Sequence, residues 1–375
     1  MANVLIIGGG FGGVVAAEQL ARSLKHEHQI TLVSRDNNFV FYPDLVKVAF
    51  GKREPADVSF DLREALLNRR VRFIQGEVAR VDPESRRVVL GQGEVIGELP
   101  YDYLVFALGR RLATEQISGF FEYADHLLTV DSALDFGESV RSFHEGRAII
   151  GQCPGARLPI PVYETAFALS RYLDKRGERD RASITIISPD PPGYQLGDSE
   201  IARTLRTALD EHSIEFLPDF PVSSVSAGAI MSANGHSLNY RLLMLLPPFR
   251  GSGAATGAGI TNAEGYIDVD WSMRVSGCER MYAVGDCVNF RGPKMAHMAV
   301  HQAEVAATNI VLEIRGLEPS AAYNHEMMMI IDEGGAGTIY VEQDLVHGDH
   351  ATVRQGRFWT WAKWVHDKYW QAQHS

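Results

Sequence analysis

The stretch that decides the fold lies at the amino terminus, where VLII (residues 4–7) runs into GGGFGG (8–13) and then VVAAEQLARSL (14–24). Four consecutive apolar residues predict a buried strand, and the run after the glycines predicts a helix. In the G-x-G-x-x-G spacing, Gly8 permits a tight turn, Gly10 lets a pyrophosphate approach the backbone, and Gly13 packs helix on strand. A second strand, ITLV (30–33), follows at the expected distance. The pattern predicts a βαβ unit that binds a dinucleotide.

Length and composition limit the alternatives. The 375 residues, 45% of them apolar and 22% charged, suffice for two or three domains with ordinary cores. A net charge of −11 without a basic stripe argues against a nucleic-acid partner. The cysteines Cys153, Cys278 and Cys287 are too few for a disulfide framework and lack metal-ligand spacing, so no metal is expected.

Targeting signals are not evident in the sequence. The first strand begins at residue 4, which leaves no room for a signal peptide. A run of 18 apolar residues is also missing, so no membrane-spanning helix is expected. We therefore expect a cytoplasmic protein, with attachment to a membrane surface left open.

Alternating strand and helix patterns divide the chain into an α/β fold with two Rossmann-like domains and a short C-terminal region. Residues 1–112 and 251–320 are predicted to form one discontinuous domain. Residues 113–250 form the second, because a βαβ crossover implies parallel strands. Residues 321–375 form the tail. The predicted helices in the later part of the chain are 164–175, 198–212 and 296–315, and the predicted irregular segments are 37–54 and 251–259.

Short motifs spread over nearly the whole chain carry a family resemblance. They are YDYLV (101–105) before ALG (107–109), GQCPG (151–155) before Tyr163-Glu164, YAVGD (282–286), GPK (292–294) and GRFW (356–359). Together with the opening glycines they resemble the two-dinucleotide-domain flavoproteins. Within these the chain is most similar to sulfide:quinone oxidoreductases, and less so to flavocytochrome c sulfide dehydrogenase and type II NADH dehydrogenases. The resemblance implies a glutathione-reductase-type fold, an oxidoreductase activity and FAD in the first domain.

The resemblance also implies which residues bind FAD. Gly8, Gly10 and Gly13 would take the pyrophosphate, and Ser34 would bind the ribose in place of the usual acidic residue, with Asp36 as a substitute. Asp286 after Gly285 would accept a hydrogen bond from the ribityl chain; the alternative is a helix N-cap. The other residues implied at the cofactor are Phe11, Arg35, Pro43, Val78, Ala107, Gly109, Arg110, Lys294 and His297.

Lys294 and the helix that follows it are implied to act on the flavin ring. The helix 296–315 would aim its N-terminal amides at the flavin pyrimidine oxygen, where negative charge develops upon reduction. Lys294 would add a positive charge to the same region. The other interpretation is a solvated surface lysine.

The chain departs from the family pattern where sulfide is oxidised. Sulfide oxidation in the family uses two cysteines beside the flavin, of which Cys153 matches one and Met327 stands at the other position. Methionine forms neither a disulfide nor a persulfide, which speaks against standard sulfide chemistry and leaves a one-cysteine route open. Another family cysteine is replaced by Leu128, and two family histidines fall at Ser132 and near Tyr194.

Two candidate catalytic residues lie in the second domain. Cys153 is either a flavin-adjacent nucleophile with a lowered pKa or an ordinary buried thiol. Glu164 either moves protons during turnover or stabilises the first turn of its helix. The second dinucleotide turn is replaced by a loop with prolines at 154, 159 and 161. Because proline lacks a backbone donor, a nicotinamide cofactor is not expected there.

The tail carries an aromatic helix over residues 357–371. Its apolar stripe consists of Phe358, Trp361, Ala362, Val365 and Tyr369, widened by Trp359, Trp364 and Trp370. Such a helix is typical of contact with a membrane surface. The alternative is docking on its own domain or on a dimer partner, and a homo-oligomer is compatible with the sequence. A methionine-rich pocket beside the flavin would suit a flat quinone ring.

These observations lead to one main functional prediction. We expect an FAD-dependent oxidoreductase that passes two electrons from an unidentified small-molecule donor to a quinone-like acceptor. One alternative is an NAD(P)H-dependent flavoprotein reductase, which would need a second glycine turn. Another is a non-catalytic flavin-binding paralogue that binds a partner protein.

Overall fold

The computed structural model describes residues 1–25, 27–193, 199–334, 337–348 and 351–374, and Tyr194 lies outside these ranges. The strands are β1 (Asn3–Ile7), β2 (Gln29–Ser34), β3 (Asn38–Val40), β4 (Ser59–Asp61), β5 (Arg72–Asp82), β6 (Arg87–Gly93), β7 (Gly97–Pro100), β8 (Tyr103–Phe106), β9 (Arg111–Leu112), β10 (Gly146–Gln152), β11 (Ala182–Ile187), β12 (Ile214–Leu217), β13 (Val222–Ser226), β14 (Ala229–Ser232), β15 (Ser237–Asn239), β16 (Leu242–Leu246), β17 (Phe249–Arg250), β18 (Met281–Ala283), β19 (Glu326–Ile331), β20 (Ile339–Asp344) and β21 (Thr352–Gln355). The α-helices are α1 (Phe11–Leu24), α2 (Leu45–Ala49), α3 (Leu62–Leu67), α4 (Phe120–Tyr123), α5 (Val130–Ser142), α6 (Ile160–Arg176), α7 (Ser199–Glu211), α8 (Gly253–Thr256), α9 (Ala296–Ile314) and α10 (Arg357–His374).

The first sheet has the strand order β18-β8-β1-β2-β5-β6-β7. The strands from β18 to β5 are parallel, and β5, β6 and β7 continue as an antiparallel meander. Strand β1 lies between β2 and β8, with Val4 opposite Ile30 and Tyr103, so it is buried on both edges. Helices α1 and α9 pack together on this unit. The glycine turn therefore opens at the carboxyl end of a central strand, where α/β proteins bind their ligands.

The second sheet is parallel and has the order β12-β11-β10-β16. Alternate residues of β10 enter different cores, as the two-residue period of a strand requires. Ala148 and Ile150 pack in the core that contains α6, whereas Ile149 packs toward the small antiparallel sheet β13-β14-β15. The two parallel units confirm the prediction of an α/β fold with two Rossmann-like units.

The tail contains a third sheet, β19-β20-β21, which is antiparallel. Met327 and Met329 of β19 are buried and Met328 is half-buried, so the methionine run alternates as a strand does. The tail was predicted to carry an aromatic helix, and the structure adds this sheet to it. Strand β19 packs against α6, α9 and α10, which places the tail between both parallel units.

Two segments expected to be irregular contain regular structure. The segment 37–54 holds the short strand β3 and helix α2, and α2 packs on α5 and α6 of the second unit. The segment 251–259 includes the one-turn helix α8. The domain limits stay a prediction. They are supported by the first sheet, which takes strands both from residues 3–106 and from 281–283.

Candidate active site

The glycines of the turn serve two different purposes: close backbone packing at Gly8 and Gly13, and open space at Gly10. A Cβ on Gly8, whose φ is +113°, would collide with the Ala107 carbonyl oxygen, and one on Gly13 would collide with the Gly8 carbonyl oxygen. A Cβ on Gly10 would meet no atom within 4 Å. Gly10 stands at the start of α1, whose first turn holds no acidic side chain. Open space beside unpaired helix amides fits a pyrophosphate, so this turn can hold the dinucleotide.

The residues at the end of β2 and directly after it differ in how they face this turn. Ser34 ends β2 and is half-buried, and a Cβ on Gly9 would lie 2.7 Å from its Oγ. Arg35 and Asp36 are exposed, and their side chains lie 3.5 Å apart. Ser34 therefore faces the turn, and Asp36 is turned toward solvent.

A buried ion pair stands at the end of β18. Gly285 has φ +80°, and the following Asp286 accepts a hydrogen bond from Arg110. The Arg110 guanidinium lies 4.4 Å from the ring centroid of Phe249 and 5.3 Å from that of Tyr42. The N-cap of α9 is Met295, so the interpretation of Asp286 as a helix cap was wrong.

Lys294 is buried rather than solvated, so the interpretation as a surface lysine was wrong. Its Nζ donates to the Val288 carbonyl and lies 4.8 Å from the ring centroid of Tyr266. Burial, and secondly the charge of Arg157, lowers the pKa of Lys294 to about 7. Arg157 also fixes the local backbone, because its Nε donates to the Gly292 carbonyl at 2.9 Å.

The other residues implied at the cofactor lie in several elements of the structure. Phe11 begins α1 and is buried, and Gly109 has φ +65°. His297 lies in the first turn of α9, where its Nε2 is 3.2 Å from the Glu326 carbonyl oxygen. The remaining three are Pro43 in the turn Tyr42–Asp44, Val78 in β5, and Ala107 directly after β8.

Cys153 belongs to a different apolar core from Phe11 and Ala107. It follows β10 and continues the face of Ile149, so its side chain lies in the apolar core beneath β13-β14-β15. Its N–H donates to the Leu246 carbonyl at 2.9 Å, which keeps the residue in register with β16. Burial raises the pKa of the thiol. Strand parity turns the Cys153 side chain to the face opposite α6, and its place beside the flavin stays a prediction.

Glu164 is buried on α6 and has two partners from the tail. Its Oε1 accepts hydrogen bonds from the Asp332 N–H, at 2.8 Å, and from Lys363 Nζ of α10. Burial raises the pKa of Glu164, and the Lys363 ammonium opposes that shift. The first turn of α6 holds no acidic residue, so the role of a first-turn carboxylate was wrong.

Methionines form part of the apolar core around Glu164. Five buried methionines belong to this core: Met244, Met295, Met298, Met327 and Met329. Leu128 packs against this core, and the Ser132 Oγ accepts a hydrogen bond from the His126 N–H at 2.9 Å. None of these groups forms the thiol pair that the family uses.

Sequence reasoning missed several groups at the site. Among them are Tyr42 and Phe249, which enclose Arg110, and Lys363 and Asp332, which meet Glu164. The polar Lys363 within an aromatic helix was the available signal. Its partner is 199 residues away, so no local pattern identifies it.

The turn between β10 and α6 contains two bonded backbone donors and the prolines 154 and 159. The Cys153 N–H donates to Leu246, and the Ala156 N–H donates to the Cys153 carbonyl. The Arg157 carbonyl accepts from the Lys294 N–H at 2.7 Å, which ties this loop to the first unit. Two backbone donors of this turn are therefore engaged within the protein, and Pro154 and Pro159 have none to offer a second pyrophosphate.

Comparison with known proteins places this geometry in a family. The model of the pyridine nucleotide-disulphide oxidoreductases matches residues 2–303. The chain belongs to this family. It is 26% identical to the sulfide-quinone reductase of Aquifex aeolicus, over 98% of this chain and 90% of that protein. The X-ray structure of the sulfide:quinone oxidoreductase from that bacterium superposes with a TM-score of 0.92, with the same coverage and identity.

More distant relatives share most of the chain. Mouse mitochondrial sulfide:quinone oxidoreductase is 25% identical over 86% of this chain and 73% of its own. A type II NADH:quinone oxidoreductase of Staphylococcus aureus is 22% identical over 84% of this chain and 83% of its own. The predicted family resemblance, the cofactor FAD and the oxidoreductase class are confirmed.

Proposed function

We propose that this FAD-dependent oxidoreductase passes two electrons from a reduced small molecule to a quinone-like acceptor that binds beside Glu164. The observation that carries the proposal is the buried pair of Glu164 and Lys363 next to an apolar core rich in methionine. When bound, FAD supplies the two-electron chemistry. The proposal therefore rests on what the surrounding residues supply: charge, protons and an apolar surface.

Proton supply follows from the chemistry of the acceptor. Reduction of a quinone to a quinol takes up two protons with its two electrons. The raised pKa of Glu164 keeps its proton available closer to neutral pH than that of an ordinary carboxyl group. The Lys363 ammonium carries further protons at the same place. This pair suits proton delivery to a reduced acceptor.

The apolar walls suit the acceptor's ring. Met327 and Met329 of β19 are buried in the same core as Met295 and Met298. Methionine adapts its shape to flat ligands because its side chain is unbranched and polarisable. A cysteine at position 327 would add a thiol to this wall, whereas methionine keeps it apolar.

The residues assigned to FAD are proposals of the same kind. Gly10 and the start of α1 would hold the pyrophosphate, and Ser34 would bind the ribose. Asp286 would accept from the ribityl chain, with Arg110 held against its carboxylate. The N-terminus of α9 and Lys294 would stabilise negative charge that develops on the isoalloxazine ring.

The donor is constrained by two observations. Bonded amides and prolines in the turn 153–161 argue against NAD(P)H bound in the second unit. The position of Cys153 away from α6 and the methionine at 327 argue against the two-cysteine oxidation of sulfide. We propose a donor that reaches FAD without a nicotinamide site or a thiol relay.

The membrane surface is the proposed location of the acceptor site. Among the described residues no helix combines the length and apolar character that crossing a bilayer requires. On α10, Phe358 is 61% exposed and Trp361 is 58% exposed. Aromatic side chains of this kind insert at the interface of a bilayer, which would bring a lipid-soluble quinone to the tail.

Anaerobic titration of the purified yellow protein tests the proposal. Sulfide, NADH and a reduced quinone are added in turn while the flavin absorbance is followed. We expect neither sulfide nor NADH to bleach the flavin rapidly, and we expect oxidised quinone to restore the absorbance of chemically reduced protein. Failure of quinone to reoxidise chemically reduced protein would overturn the acceptor, and rapid bleaching by NADH or sulfide would overturn the donor argument.

A further inference from the structure

The far end of α10 lies against the glycine turn of the first unit. Trp370 is only 7% exposed, although it belongs to a helix whose first turns are open to solvent. Its ring centroid lies 4.7 Å from that of Phe11, 4.9 Å from Phe39 and 5.4 Å from Phe41. The tryptophan thus closes an aromatic cluster on the residue that follows Gly10.

A polar contact fixes the same end of the helix. Glu18 is buried on α1, and its Oε2 lies 2.7 Å from Nδ1 of His374. The other carboxylate oxygen lies 2.9 Å from Arg69 Nε, and Arg69 also donates to the Gln373 carbonyl. The His374 ring packs on Trp370 with centroids 4.4 Å apart. The carboxylate of Glu18 therefore joins the last turn of the chain to α1.

The near end of the helix is fixed to other elements. Thr360 and Thr338 share a hydrogen bond of 2.6 Å, and Trp359 stacks on Tyr340 at 4.0 Å. Lys363 pairs with Glu164 on α6. One helix therefore connects the proposed acceptor side with α1, whose first residue is Phe11.

We infer that Trp370 is a positioning residue for FAD: it holds Phe11, and with it the first turn of α1, where backbone amides meet the pyrophosphate. Phe11 is held on its other sides by Phe39, at 4.9 Å, and by Tyr42, at 5.3 Å. Removal of the indole would leave the Phe11 ring free to move into the vacated space. The amides that follow Gly10 would then lose their fixed direction.

The inference rests on the proposed pyrophosphate site at the start of α1, and it goes beyond the proposed reaction because it concerns FAD retention whatever the donor and acceptor are. Binding linkage is reciprocal. If the docked tail strengthens FAD binding, then FAD must also strengthen the docking of the tail. The two effects are measured without any substrate.

The experiment measures the FAD dissociation constant of three variants. FAD is removed from each purified holoenzyme and is then titrated back. Trp370→Ala is expected to raise the FAD dissociation constant about tenfold, a typical coupling between sites. Trp370→Phe is expected to restore most of the affinity, because an aromatic ring again contacts Phe11. Phe121→Ala is the control, since Phe121 is 87% exposed on α4. Its FAD affinity is expected to match that of the wild type.

A second variant and a second readout keep the test decisive if Trp370→Ala fails to fold. His374→Gln, at the end of the chain, removes the contact with Glu18 and is expected to weaken FAD binding in the same direction. Limited digestion by a carboxypeptidase is expected to slow when FAD is added to the apoprotein. Unchanged FAD affinity in Trp370→Ala, or in His374→Gln where the first variant does not fold, would overturn the inference. So would a digestion rate that FAD does not alter.

Discussion

The ammonium of Lys363 pairs with the carboxylate of Glu164 inside the protein, although the two residues are 199 positions apart in the chain. The Glu164 side chain is buried, with 7% of its surface exposed, and the Lys363 side chain is 13% exposed. Desolvation of two charges is costly, so a buried pair is weak evidence for stability. It is better understood as a functional feature, because it keeps one carboxyl group with a raised pKa and a cation at an apolar wall.

Lys363→Met tests the role of this pair. Without the ammonium, the pKa of Glu164 is expected to rise further, because the group that opposes the desolvation shift is gone. Glu164 then stays protonated to higher pH, and the alkaline limb of the pH–rate profile for quinone reduction moves upward by about one unit or more. Arg357→Met, at the exposed start of the same helix, is the control. Identical profiles for Lys363→Met and wild type would contradict proton delivery by this pair.

Gly10→Ala and Gly13→Ala separate ligand binding from folding. Gly10 has φ −83°, which alanine adopts without strain, and its Cβ would meet no protein atom. The Gly10→Ala variant is therefore expected to lack flavin absorbance. Its unfolding temperature is expected to equal that of the wild-type apoprotein. A Cβ on Gly13 would strike the Gly8 carbonyl, so Gly13→Ala is expected to lose about 2 kcal/mol of unfolding free energy. Full flavin content in Gly10→Ala would refute the assignment of this turn.

These glycines show which parts of the site a sequence reveals. The turn at Gly8–Gly13 joins adjacent elements, so spacing alone predicts its conformation and ligand. Cys153 lies eleven positions before Glu164. Side chains alternate between the two faces of β10, so Cys153 shares the face of Ile149, whereas Ala148 and Ile150 face α6. The pairing of Glu164 with Lys363 depends on how the tail returns across two units, and no local pattern specifies that path.

Cys153→Ala tests whether the thiol takes part in turnover. The side chain lies in an apolar core and burial raises its pKa, so the thiolate is disfavoured. We expect flavin content and quinone reduction to stay within about twofold of wild type, with a loss of about 1 kcal/mol in stability from the cavity. Met327→Ala, which opens the apolar wall, is expected to raise the KM for quinone instead. A tenfold drop in the turnover of Cys153→Ala at full flavin content would restore the thiol to the reaction.

Asp125→Asn is expected to stabilise the protein near neutral pH. Burial, and secondly the charge of Asp135, raises the pKa of Asp125 to about 6. The native state thus binds a proton more tightly than the unfolded chain, and unfolding free energy falls as pH rises from 4 to 6. The asparagine amide does not ionise, so this loss of unfolding free energy does not occur. The amide oxygen can still accept the hydrogen bond that Ser139 Oγ donates to Asp125 at 3.5 Å. Thermal unfolding should show a gain of about 1 kcal/mol at pH 7.5 and a smaller gain at pH 5. Equal gains at both pH values would contradict the titration of Asp125.

The charge of Lys294 changes near neutral pH. Its pKa is lowered to about 7 by burial and by Arg157, while Asp286 and Cys287 oppose the shift. The ammonium is therefore present below pH 7 and lost above it. Negative charge developing on a nearby bound flavin favours the protonated form, so flavin reduction is expected to become less favourable as pH rises through 7.

Two substitutions resolve this dependence. Lys294→Met removes the charge at all pH values, so the flavin reduction potential is expected to fall and its bend near pH 7 to disappear. Lys294→Arg keeps a permanent charge, so the bend disappears while the potential stays high. Spectroelectrochemical titration from pH 6 to pH 8 measures both. A bend that persists in Lys294→Met would assign the titration to another group near Asp286.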